Sequence, residues 1–111
     1  MSQPPVLGEF EQIVILAILR LDDRAYGVTI RSEIQQRTGR EPAPGALYTT
    51  LDRLEEKGFL TSSFGDPTWQ RGGRAKRYFR VTPTGLDAVA HAQRCYRRLC
   101  EGLALPGVAY A

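Results

Sequence analysis

Cysteine and histidine are scarce in this chain: two cysteines, Cys95 and Cys100, and one histidine, His91. That is too few for a disulfide framework or a four-ligand zinc site. Five residues apart on a helix, the two sulfurs point roughly 140° apart, which argues against a bridge between them. A reducing compartment fits, the cysteines read as ordinary helix residues, and no metal is expected. Long apolar runs are missing too. Residues 13–19 form the main one, too short to span a bilayer. Residues 1–5 lack the basic and apolar regions of a signal peptide. No membrane association is expected, and the cytoplasm is the expected location. A nucleophile constellation, a P-loop and a dinucleotide glycine motif are all lacking, so neither an enzyme nor a cofactor is expected.

What is present is the composition of one ordinary globular domain: 111 residues, 42% apolar and 24% charged. The net charge of +3 hides an asymmetry. Residues 1–66 hold 7 basic and 10 acidic side chains, and residues 67–111 hold 8 basic and 2 acidic. Arg71, Arg74, Lys76, Arg77 and Arg80 follow one another with no acid between them. Such a local excess points to an anionic partner; the plainer reading is a solvated basic loop.

Along the chain, residues 1–8 form a polar arm. Phe10, Ile13, Val14, Ala17, Ile18 and Leu21 recur at helical spacing, which predicts a helix over 9–21. Ile15, Leu16 and Leu19 widen its stripe, as in a helix buried on most sides. Asp22, Asp23 and Arg24 read as a turn, and a second helix is expected from about Tyr26 to Thr38. A third runs over 44–57, opened by Pro44 and closed by Gly58. On its wheel Leu47, Leu51 and Leu54 share one face, with Gly45, Ala46, Thr49, Arg53 and Glu56 opposite. Two β-compatible runs, 59–64 and 78–82, flank a Gly/Pro-rich stretch and predict a hairpin with a basic tip. Thr82 and Pro83 open a last helix over 83–104, with Pro106 and Gly107 ending it.

Three short helices followed by a two-stranded hairpin is the order of a winged helix-turn-helix. The fold expected is mainly α with a small β-hairpin: arm 1–8, winged helix-turn-helix 9–82, C-terminal dimerisation helix 83–104 and tail 105–111. An α-helix with one buried and one polar face suits the major groove of duplex DNA. A basic hairpin suits the backbone or the adjacent minor groove. The same fold also permits a protein–protein module whose basic hairpin grips an acidic partner.

Six segments sharpen this: Leu7-Gly8-Glu9-Phe10-Glu11, Ala25-Tyr26-Gly27, Pro44-Gly45-Ala46-Leu47-Tyr48-Thr49-Thr50-Leu51, Arg53-Leu54-Glu55-Glu56-Lys57-Gly58, Arg71-Gly72-Gly73-Arg74-Ala75-Lys76-Arg77-Tyr78 and Thr82-Pro83-Thr84-Gly85. In that order they resemble the PadR family of bacterial transcriptional regulators, over residues 7–86. The resemblance implies a homodimeric winged-helix repressor of double-stranded operator DNA, with the C-terminal helix making the dimer. It also implies that a small aromatic or cationic effector can release the DNA in some members. With a single C-terminal helix, the chain resembles the smaller subgroup of the family, and an effector pocket is expected between protomers. One departure is Ala43, where many members carry a serine N-cap before the proline.

The residues expected at DNA are Gly45, Ala46, Tyr48, Thr49, Thr50 and Arg53 on the third helix, and Arg71, Gly73, Arg74 and Lys76 on the hairpin. Thr49, Thr50 and Arg53 are assigned to its outward face. Arg53 alternatively pairs with Glu56 or Glu33. Tyr48 flanks the apolar stripe and is either a packed ring with a surface hydroxyl or, as the resemblance implies, a phosphate ligand. Tyr26 and Gly27 read as a packed tyrosine and a tight turn. Trp69 reads as a loop anchor, with an effector or a DNA sugar as alternatives. Leu86, Val89, Ala90, Tyr96, Leu99 and Leu103 are expected at the dimer interface, because they leave an apolar stripe on the last helix.

Overall fold

The computed structural model describes residues 6–65 and 75–108. Helix α1 (Glu9–Leu21) is followed by a 3₁₀ turn (Asp22–Arg24), α2 (Gly27–Thr38), α3 (Pro44–Glu56), strands β1 (Leu60–Phe64) and β2 (Arg77–Val81), and α4 (Pro83–Cys100).

Local chemistry explains the helix starts. The Gly8 N–H, orphaned at the entry to α1, donates to the Glu11 carboxylate at 2.8 Å. Glu9 and Glu11 in the first turn and Arg20 in the last complement the helix dipole. At α2 the Tyr26 N–H donates to Thr29 Oγ1 at 3.0 Å. The N-cap of α3 is Ala43, which offers no side-chain acceptor, and Pro44 provides the entry instead. Thr82 caps α4 by accepting the Gly85 N–H at 3.0 Å.

Strands β1 and β2 pair antiparallel, from Leu60 opposite Val81 to Phe64 opposite Arg77. The hairpin is tied to the helices where the Phe79 N–H donates to the Ala25 carbonyl at 2.9 Å, beside an isolated bridge between Tyr26 and Tyr78. One core lies between these layers. Val14, Ile15 and Ile18 of α1 meet Ile30 and Ile34 of α2, Leu47, Leu51 and Leu54 of α3, and Phe59, Leu60 and Phe79 of the hairpin. This is the winged helix-turn-helix order expected from the sequence.

Helix α4 departs from expectation twice. It ends at Cys100 rather than near 104, because Gly102 takes φ +79°, a left-handed conformation that closes the helix. Leu103 therefore lies beyond the helix. Val89, expected in an exposed stripe, is only 4% exposed and belongs with Ala88 to the protomer's own core. The reason is that the first two turns of α4 lean on α1 and β2. Ala90 is half-buried, whereas Leu86, Tyr96, Leu99 and Leu103 are exposed.

Candidate nucleic-acid interface

Helix α3 is divided as its wheel requires. Leu47, Leu51 and Leu54 are buried, and Gly45, Ala46, Thr49 and Arg53 are exposed. Thr50 is a correction: it is 7% exposed and its hydroxyl donates to the Ala46 carbonyl at 3.0 Å. It lies about 60° round the helix from Leu47, on the buried side, so it does not share the outward face of Thr49. Arg53 has no ion pair among the described residues. Glu33, one of its candidate partners, is occupied by Arg20 at 3.2 Å and Arg37 at 3.0 Å.

Tyr48 is 43% exposed, and its ring and hydroxyl lie against Gly27. A Cβ at position 27 would collide with the Tyr48 hydroxyl, so this contact needs a glycine. The tyrosine is thus both packed and surface-accessible, and its oxygen stands at the first residue of α2. The free N–H groups and positive dipole end of a helix favour an anion there.

Lys76 adds charge beside this point. Its ammonium lies 4.6 Å from the centre of the Tyr26 ring and 3.5 Å from the Tyr26 hydroxyl. Tyr26 in turn packs edge-on against Tyr78, with ring centres 5.5 Å apart. The packed reading of Tyr26 fits this geometry. Lys76, Tyr48 and the α2 N-terminus therefore come together beside α3, from three separate stretches of sequence. Trp69, Arg71, Gly73 and Arg74 lie outside the described residues.

Arg77 behaves unlike its neighbour. Its guanidinium donates to Asp52 at 3.0 Å and Glu55 at 2.6 Å, both on α3, and to Ser62 Oγ on β1 at 3.2 Å. Burial favours the neutral form, but the two carboxylates outweigh it and raise its pKa, so it stays charged. Counted along the chain Arg77 is one more wing cation; in space it is neutralised. The signal in the sequence was the i, i+3 spacing of Asp52 and Glu55, and only the hairpin register shows which cation meets them.

At the far end of α3, Lys57 donates to Glu11 at 2.8 Å. Burial pushes the Glu11 carboxyl up, but the hydrogen bonds from Lys57 and the Gly8 N–H, with the charges of Lys57 and Arg53, more than reverse it and lower its pKa. On α4 the Cys95 sulfur lies 3.6 Å from His91 Nε2, and both cysteines are free thiols. No group of three His, Cys, Asp or Glu among the described residues could hold a metal. Nor is any described helix long and apolar enough to cross a membrane.

The fold is that of a winged helix-turn-helix protein. Residues 15–91 match the transcriptional regulator PadR-like family. The chain belongs to that family, and it is a regulator rather than an enzyme. It is 38% identical over 100 residues to the transcriptional regulator Rv3488 of Mycobacterium tuberculosis, covering 86% of this chain and 87% of that one. Among solved structures it is similar to a PadR family transcription regulator from Clostridium difficile, with a TM-score of 0.66, 26% identity, and coverage of 81% of this chain and 90% of that one. A transcriptional regulator from Clostridium thermocellum shares the fold, with a TM-score of 0.68, 22% identity, and coverage of 82% and 85%.

Proposed function

We propose that the chain is a cytoplasmic, homodimeric repressor that lays α3 in the major groove of an operator and its wing along the backbone or minor groove. The observation that carries this reading is the division of α3. Its outward face is small and polar, Gly45, Ala46, Thr49 and Arg53, and lets the helix approach base edges closely. Tyr48, Lys76 and the α2 N-terminus beside it suit a phosphate. The exposed Leu86, Tyr96 and Leu99 of α4 suit a second copy. A groove between the arm and α4, lined by Val6, Leu7, His91, Cys95, Tyr96 and Leu99, gives that copy or a planar aromatic effector an apolar seat.

Salt titrations on the duplex upstream of its own gene and on a scrambled duplex test the assignment. Lys76→Ala weakens both to a similar degree and lowers the salt slope by about 1. Thr49→Ala or Arg53→Ala relaxes the preference for the specific duplex by about 1–3 kcal/mol. Loss of discrimination from Lys76→Ala alone, with the α3 variants unaffected, reverses these roles.

A further inference from the structure

The wing and α3 are joined by one side chain. Arg77 opens β2, and its three bonds reach Asp52 and Glu55 on α3 and Ser62 on β1. Ser62 itself donates to Glu55 at 2.9 Å, so the β1 hydroxyl and the guanidinium hold the same carboxylate. The flat guanidinium lies 4.8 Å from the centre of the Phe79 ring, a buried residue of the same strand. It is therefore oriented from below by the core and from the side by two acids. The planar fork of arginine suits this arrangement, which an ammonium cannot reproduce.

The position of the two acids gives the contact its meaning. On the α3 wheel Asp52 stands about 60° from Thr49, at the shoulder of the outward face. An uncompensated carboxylate there would confront DNA phosphates, and like charges brought together at an interface are costly. Lys76, one residue earlier, is exposed. Neighbouring residues of an extended chain point to opposite sides, which separates a cation that can meet DNA from one that faces α3.

We propose that Arg77 is a positioning residue for DNA binding: it fixes the wing against α3 and neutralises Asp52 and Glu55 without itself contacting DNA. This rests on the reading of α3 as the DNA-facing helix. It separates the basic run of the wing into cations for the ligand and one cation for the protein.

The test is a double-mutant cycle on the full chain, with a random-sequence DNA duplex as the probe and binding followed by fluorescence anisotropy. Circular dichroism fixes an assay temperature at which every variant is folded. Arg77→Ala weakens binding by about tenfold or more, and Arg77→Lys, which keeps the charge but not the fork, falls between it and the unaltered chain. In a D52N/E55Q background the same Arg77→Ala change costs no more than about threefold, because the groups it served are already neutral. Should Arg77→Ala not fold at any usable temperature, Arg77→Lys in the two backgrounds supplies the same comparison. Equal losses in both backgrounds, with a salt slope lower by about 1, make Arg77 a phosphate ligand and overturn the proposal. Binding within about twofold of the unaltered chain reduces the cluster to fold stabilisation and also overturns it. An unaltered chain that binds no duplex at low salt sinks the DNA reading itself, a result distinct from either.

Discussion

Helices α1 and α4 both carry an apolar stripe, yet the protomer uses them in opposite ways. Seven of the 13 residues of α1 are buried, spread from Glu11 to Leu21. Only three of the 18 residues of α4 are buried, Gly85, Ala88 and Val89, all within its first two turns. Beyond them Tyr96 is 53% exposed and Leu99 77%. In α1 most apolar side chains meet other elements of the same chain, although Leu16 and Leu19, expected to widen a stripe buried on most sides, are 37% and 40% exposed. The distal half of α4 repeats the pattern, but among the described residues it faces Val6 and Leu7 of the arm across a groove and stays largely exposed. A hydrophobic stripe thus reports that a face wants covering; it does not say whether the cover comes from within the molecule or from outside it.

The largest effect expected from this contrast falls on α1. Ile15 is fully buried at the centre of the core. Ile15→Ala removes its packing and leaves a cavity, which should cost about 2–5 kcal/mol in denaturant unfolding. A loss below about 1 kcal/mol would mean that α1 is not the element around which the core closes.

A smaller effect is expected at the polar entry to the same helix, and it depends on pH. The lowered pKa of Glu11 means that the folded state prefers its carboxylate, held by Lys57 and the Gly8 N–H. Its contribution is therefore complete above the unfolded value of 4.5 and is lost as pH falls through the lower folded value. Glu11→Gln should cost about 1–2 kcal/mol at neutral pH, and the two stability curves should converge in acid. A gap that stays constant from neutral to strongly acid pH would assign the loss to shape rather than charge. The exposed pair Arg40–Glu9, at the same end of α1, is worth less than about 0.5 kcal/mol and serves as a control.

Sequence pattern alone located α1, α2 and α3 closely, because each has a local start signal and a repeating apolar face. It was less informative where a property depends on what lies alongside. Thr49 and Thr50 are the same residue type, and only the 100° step between them decides which one meets solvent. Val89 and Leu99 share an apolar stripe, but one rests on α1 and β2 while the other extends past them. The end of α4 was masked by Leu103, which continues the apolar spacing beyond the turn that Gly102 makes. Arg77 lies 25 residues from Asp52 in the chain, so no local window shows that its charge is already matched.

The smallest effect on protomer stability is expected at Leu99, and it sharpens the comparison most. In the protomer its side chain is mostly in water, so truncation removes little that folding had buried. Leu99→Ala should change unfolding free energy by less than about 0.5 kcal/mol when measured at dilution, where no dimer forms. If the distal half of α4 is covered by a second copy, Leu99→Glu should place a charge in that contact and give a monomer in sedimentation velocity. The thermal midpoint of the unaltered chain should then rise with protein concentration, because association stabilises only the folded form, and that of Leu99→Glu should not. A cost above about 2 kcal/mol from Leu99→Ala at dilution would show instead that this half of α4 folds back onto its own protomer, as α1 does.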